Sequence, residues 1–334
     1  MGPLIRRYWR EICFAVAALA ALALSGRAEL AGLPVFVVAI TPGLEAQAQD
    51  VPHGGSMRVA LTGFAASRHA PQILYPVVAR ALPDWLRQPA QSAGTPLIAI
   101  CIDDLGGDIA ATESALHLPK EVALSFLPFA PTTPGFALRA REEGHVVLAH
   151  VPMQALGGTN PGPMALDVGM TPDEIARRLA WALERVPGAV GVNNHEGSRF
   201  TSDEGALAPV MAMLKARGLF FFDSRTSGGS RGETAAKAAG VSAVGRDVFL
   251  DDDQSEAAVR TQLNALVAAA KRQGVAVAIG HPHATTLRLL KTWLAEEHGV
   301  KLVSLPEAMR TKAGRAVASN QTKLSWSVAT RWSR

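Results

Sequence analysis

The chain has 334 residues, 48 % of them hydrophobic and 19 % charged, with two cysteines. That composition excludes a disordered or collagen-like chain, and two cysteines cannot build a disulfide framework or a cysteine-based zinc site. The net charge of +4 resides in the ends: residues 1–10 carry three Arg, residues 310–334 carry six Lys and Arg, and neither stretch holds an acid. Taking those nine bases from the 33 leaves 24 against 29 acids over 11–309, a net of −5, so the folded part is not basic and no nucleic-acid partner is expected.

Arg6, Arg7 and Arg10 precede an apolar run from Cys13 to Leu24, a second run from Leu30 to Ile40, and the small-x-small triplet Ala46-Gln47-Ala48. These are the parts of a secretory signal, so residues 1–48 are read as a signal peptide or, uncleaved, as an N-terminal membrane anchor in contact with the bilayer. The first run alone is shorter than the roughly 20 residues that span a bilayer. The positive flank keeps the N-terminus in the cytoplasm and puts the rest in the periplasm or on the extracellular side of the inner membrane. Residues 49–95 are rich in Pro and Gly and poor in pattern, and are read as a tether.

From 96 to 310 the pattern is regular. Apolar runs of strand length occur at Leu97–Ile102, Val122–Phe126, Val146–Ala149, Ala189–Val192, Leu219–Phe222, Val241–Val244, Val275–Ile279 and Lys301–Val303. Their continuous apolar character suits strands buried on both faces. Helix-period segments alternate with them, roughly at 108–117, 133–143, 203–217, 254–273 and 285–297. Thr171-Pro172-Asp173-Glu174 reads as a capping box opening another. Alternation of this kind predicts an α/β fold with a parallel sheet, and seven or eight units favour a barrel. The Ser/Thr/Lys/Arg-rich residues 311–334 are read as a basic disordered tail.

Polar residues collect where the strands end. The first strand runs into Asp103-Asp104, the third into His150, and the fourth into Asn193-Asn194-His195-Glu196-Gly197-Ser198-Arg199, read as a loop. The fifth runs into Asp223-Ser224-Arg225 and the seventh into Gly280-His281-Pro282-His283. In α/β barrels these ends face one another across the mouth where active sites lie. Adjacent carboxylates have no packing reason to be there, and burying them unpaired costs several kcal/mol. Asp with two His suits a divalent metal such as Zn²⁺, and a further Asp and His beside it suit proton transfer in metal-assisted hydrolysis. A turn at the Asp pair is required to aim both carboxylates at one site, and Gly106 and Gly107 are read as making it. His145 starts its strand and is read as structural; His53, His69, His117 and His298 are read as surface residues.

Asp103-Asp104-Leu-Gly, Gly144-His145 with His150-Val-Pro-Met153, Asn193 to Thr201, Phe222-Asp-Ser-Arg-Thr226 and Gly280-His-Pro-His283 together resemble the divergent polysaccharide deacetylase family, over roughly 97–309. That family is related to the NodB-homology carbohydrate deacetylases, and the resemblance implies a distorted (β/α) barrel of about seven units. It implies Asp103 as base, Asp104 and His150 as metal ligands, His281 as general acid with His283 as fallback, and Asp223 as the residue orienting the acid. The second His of the usual His-x-x-x-His motif is replaced by Gln154, so His195 is the candidate third ligand. Asn194, Ser198, Arg199, Arg225 and His283 are expected to bind substrate, and Trp181, Phe129 or Phe200 to supply sugar-stacking faces. The expectation is an exported, Zn²⁺-dependent deacetylase of an envelope glycan. A barrel that only binds or organises the envelope and a metal amidase acting on peptidoglycan are the alternatives.

Overall fold

The computed structural model describes residues 94–315. The signal or anchor segment, nearly all of the tether, and the tail beyond 315 lie outside the described residues.

Eight strands form one continuous path. They are β1 (Leu97–Leu105), β2 (Ala123–Phe126), β3 (Val147–Met153), β4 (Gly191–Glu196), β5 (Phe220–Asp223), β6 (Ala243–Gly245), β7 (Val248–Phe249) and β8 (Val275–Gly280). Their order is β6-β5-β4-β3-β2-β1-β8-β7, with β9 (Lys301–Leu302) also beside β1, and every ladder is parallel. The helices α1 (Ile109–Leu116), α2 (Thr133–Glu142), α3 (Pro172–Arg185), α4 (Glu204–Arg217), α5 (Gly232–Ala239), α6 (Glu256–Gln273) and α7 (Ala284–Trp293) alternate with the strands, and α8 covers residues 305–315.

The two ends of this path, β6 and β7, are separated only by Arg246 and Asp247. Three Cα steps of about 3.8 Å keep Gly245 and Val248 within roughly 11 Å. A sheet with its first and last strands that close must curl around on itself. Arg246 N–H still donates to Asp223 O on β5, and Asp247 N–H to Val277 O on β8, so two consecutive residues bridge the two edges. Among the described residues no ladder joins β6 to β7. The fold is therefore a distorted, incompletely closed (β/α) barrel with a seam at 246–247.

Side chains alternate across β1 with period two. Leu97, Ala99 and Cys101 face the interior with Leu148, Phe220, Phe222, Val277 and Ile279, while Ile98, Ile100 and Ile102 face the helices. Val303 and α8 residues Leu305, Ala308 and Met309 join the interior cluster, whose other members include the first residues of β1, β5 and β8. The last helix thus closes the end where strands begin. Helix α8 runs five residues past the boundary expected at 310: Thr311 is buried, and Lys312 Nζ pairs with Asp247 Oδ2 at 2.5 Å. At α3, Thr171 accepts from Glu174 N–H as the capping box requires, but the Glu174 carboxylate goes to Arg178 and Arg177.

Candidate active site

Three strands are longer than their apolar runs. β1, β3 and β4 extend to Leu105, Met153 and Glu196, so Asp103, Asp104, His150 and Asn193 to Glu196 are strand residues rather than loop residues. Pairing supplies the reason, since His150 is in register with Asn193, Val151 with Asn194 and Pro152 with His195.

Asp103 follows Cys101 on the interior face by simple alternation, and Cys101 Sγ donates to its Oδ1 at 3.3 Å. Asp104 would then point outward to the helices. Instead it takes a φ of 59°, and the β1–β2 register shifts between Ile102 and Leu105. A bulge of this kind re-aims a side chain. The turning residue is thus Asp104 itself, which corrects the expectation for Gly106 and Gly107. Gly107 has no positive φ; Gly106 does, and Thr133 Oγ1 stands 2.1 Å from where its Cβ would be. Glu196 at the end of β4 and Arg225 just after β5 also have positive φ, at 53° and 48°. Non-glycine residues seldom adopt this conformation, and its concentration at three strand ends marks the mouth as a place where geometry outranks local backbone preference.

Asp104 Oδ1, His150 Nε2 and His195 Nδ1 converge. Asp104 Oδ1 lies 2.8 Å from His195 Nδ1 and 3.1 Å from His150 Nε2, and the two ring nitrogens are 3.2 Å apart. Asp104 Oδ1 is buried, yet it has no well-directed hydrogen bond. Close approach without aligned bonds is what a shared cation would resolve. Zinc bonds of about 2.0–2.2 Å in tetrahedral geometry put donors roughly 3.3–3.6 Å apart, so a small outward shift of these atoms would seat an ion. The donor set of one carboxylate and two imidazoles fits a divalent ion. Burial pushes the Asp104 carboxyl up, but His150 and His195 outweigh it and hold it well below the ordinary carboxylate range. Burial draws His150 down, and Asp103 with Asp104 more than reverses this, so its pKa is raised.

Asn193 organises what lies behind this triangle. Its Nδ2 lies 2.9 Å from both oxygens of Asp103, and its Oδ1 accepts from Ser125 Oγ at 2.6 Å and lies 2.9 Å from His150 Nδ1. An amide oxygen turned toward a carboxylate would be repelled, so the amide orientation is fixed. The Asn193 oxygen can only accept, so His150 carries its proton on Nδ1 and presents Nε2 as the lone pair.

An open cleft of about 860 Å³ joins Asp103, Asp104, His150 and His195 to His281. His281 Nδ1 lies 2.9 Å from Asp251 Oδ1, and Asp251 Oδ2 accepts from His281 N–H and from Thr286 Oγ1. Burial draws His281 down, but Asp251 prevails and raises its pKa to about 9. The orienting residue is thus Asp251, in place of Asp223. Asp223 accepts from Arg225 N–H and Ser230 Oγ and shapes the turn after β5. Asp251 was missed because its strand, β7, has two residues; the signal was an Asp directly after Val248-Phe249-Leu250.

The other expected residues divide. Asn194 and Arg225 line the cleft. Ser198 instead accepts from Leu156 N–H, and Arg199 is exposed away from the cleft. His283 stands at the N-cap of α7, its ring 5.8 Å from that of His281, and does not line the cleft. Gln154 binds Val168 N–H through Oε1, so it holds a loop and leaves the ligand position to His195. Phe200 is fully buried, Trp181 packs partly buried against the core and Phe129 packs against Gly162; the aromatic side chain lining the cleft is Phe249. His145 is buried between Val122 O and Leu116 O and is structural.

Two bacterial proteins of uncharacterized function resemble the chain. It is 40 % identical over 194 residues to the uncharacterized protein YibQ of Escherichia coli K12, spanning 58 % of this chain and 61 % of that one. It is 33 % identical over 216 residues to an uncharacterized protein of Haemophilus influenzae, spanning 64 % and 77 %. The crystal structure of uncharacterized protein ATU2773 from Agrobacterium tumefaciens C58 superposes with a TM-score of 0.63 at 30 % identity, covering 66 % of this chain and 94 % of that one. The family model described as divergent polysaccharide deacetylase matches residues 100–309, which include Asp103, Asp104, His150, His195, Asp251 and His281, and the chain belongs to that family.

Proposed function

We propose that the chain is an exported, metal-dependent hydrolase that removes acetyl groups from an envelope glycan. The observation that carries this reading is the triangle of Asp104, His150 and His195, with its undirected buried oxygen, in one cleft with a second carboxylate and a raised-pKa imidazole. Export rests on Arg6, Arg7, Arg10 and the apolar runs that follow them.

Asp104 Oδ1, His150 Nε2 and His195 Nδ1 would hold the ion, with Zn²⁺ the expected one. A divalent ion there supplies Lewis acidity, polarising an acetyl carbonyl and making a water molecule acidic near neutral pH. Asp103 takes the proton of the attacking water. Its Oδ1 accepts from both Cys101 and Asn193, whereas Oδ2 has Asn193 and stands 3.7 Å from His150 Nε2, so Oδ2 is the atom placed for this. Water oxygen bonds to the acetyl carbon, and the bond from that carbon to the sugar nitrogen or oxygen then breaks. His281 Nε2 gives its proton to the departing atom, and Asp251 holds the ring through Nδ1 while it does so. The products are acetate and the free amine or hydroxyl.

Acetate release from acetylated oligosaccharides by the Zn²⁺-loaded protein tests this. The expected result is release that a chelator abolishes and Zn²⁺ restores. A loaded protein that releases no acetate from any N- or O-acetylated glycan gives the lead to the binding-module reading.

A further inference from the structure

Three arginines line the cleft, Arg225, Arg246 and Arg272; the first two lie beside the seam, and their charges are met differently. Arg225 pairs with Glu233 and donates to Arg246 O. Gly245 permits that pair: a Cβ there would stand 2.4 Å from both Arg225 Nε and Glu233 Oε2. Arg246 is half-buried and has no carboxylate within ion-pair distance among the described residues. Its Nε donates to Ser224 O and one terminal nitrogen to Arg225 O, both at 2.7 Å, and its guanidinium lies over the Phe249 ring at 4.7 Å. Two carbonyls and a ring face fix the plane, and the remaining terminal nitrogen has no protein partner among the described residues. Burial and the neighbouring Arg225 press its pKa downward, against the opposing pull of Asp223, Asp103 and Asp247, none of which pairs with it directly. The acids nearby are engaged: Asp247 by Lys312, Asp223 by the turn after β5, and Asp103 by Cys101 and Asn193.

We infer that Arg246 is the anchor of an anion subsite, and that the sugar processed here carries a carboxylate or phosphate on the acetylated ring or on the ring next to it. A fixed, partly desolvated guanidinium with a free edge is built for an oxyanion, because charge-assisted bonds there are short and directional. Its place in the cleft shared with Asp103 and the triangle puts the anion beside the reacting acetyl group. Neutral acetylated glycans lack the group that this charge requires. Phe249 lies between Arg246 and the His281 ring, whose centroid is 5.1 Å away, so the anchor and the imidazole share one wall of the cleft.

This deepens the hydrolase reading and rests on it, but its test reads binding alone. The Zn²⁺-loaded full-length protein is titrated calorimetrically with three probes: neutral N,N′-diacetylchitobiose, a disaccharide containing N-acetylmuramic acid, and N-acetylglucosamine 1-phosphate. At least one anionic probe is expected to bind roughly tenfold or more tighter than the neutral one, a preference that weakens with salt. The probe that wins identifies the anion as carboxylate or phosphate. Arg246→Gln is expected to erase the preference and Arg246→Lys to keep part of it, with Zn²⁺ content and melting temperature reporting on the fold. Equal binding of all three probes to the wild type, an anion preference insensitive to salt, or no anionic binding overturns the subsite. Selective binding without acetate release would leave the subsite standing and remove the hydrolase.

Discussion

Asn193 Nδ2 lies 2.9 Å from both oxygens of Asp103, while its Oδ1 lies 2.9 Å from His150 Nδ1. One amide therefore aims Asp103 and fixes the tautomer of His150. Asn193→Ala removes both ties and leaves buried Asp103 short of a donor. Loss of such an outer partner typically weakens metal binding 10- to 100-fold, and that range is expected here in a Zn²⁺ competition titration. Wild-type affinity in Asn193→Ala would mean that the His150 ring is held by other means.

Asp103 and Asp104 adjoin in sequence but have different proposed tasks, so their amide variants should part. Asp104→Asn is expected to lose the ion and all hydrolysis. Asp103→Asn is expected to keep the ion and lose hydrolysis by about 10²-fold or more, the usual scale for removing a general base. Metal analysis beside acetate release separates them. His195→Ala should behave as Asp104→Asn does; an ion retained at full occupancy in His195→Ala would exclude its Nδ1 as a ligand.

How far the sequence foretold this site follows from the backbone. Residues whose aim follows from strand alternation or from the end of an apolar run were legible: Asp103, His150, His281 and the alternation of strands and helices. The positions of the turns were not. Positive φ at Asp104 depends on the β1–β2 register shift, a tertiary feature with no glycine to mark it. Asp223 and Asp251 read alike, each an Asp after an apolar run. The barrel decides between them, since β7 lies beside β8, which leads directly into His281, while β5 lies on the other side of the seam.

Under the proposed chemistry the His281–Asp251 pair sets a pH limit. A general acid works only while protonated, and Asp251 raises the His281 pKa to about 9. Hydrolysis is expected to fall as pH rises through that value. Asp251→Asn removes the charge that holds the proton, so the alkaline limb of kcat/KM should move down toward the ordinary imidazole value of about 6.5. The same shift bears on stability. A raised folded-state pKa contributes stability that is fully present below about 6.5 and is lost as pH climbs through about 9. An unmoved limb in Asp251→Asn would assign it to another group.

The seam makes the last helix part of the site. Lys312 Nζ pairs with Asp247 Oδ2 at 2.5 Å, and that same oxygen accepts from Val277 N–H on β8. Asp247 lines the cleft and bridges the edges that no ladder closes. Ending the chain after Arg310 would remove Lys312 and buried Thr311, and would leave the Asp247 carboxylate without its cation. Stranding a largely buried charged acceptor costs about 1–3 kcal/mol, and that loss is expected in denaturant unfolding. Lys312→Ala should reproduce part of it, Lys312→Arg should recover most, and high salt should narrow the difference between them. A chain ending at 310 that unfolds at the wild-type midpoint would place residues 311–315 outside the cooperative fold.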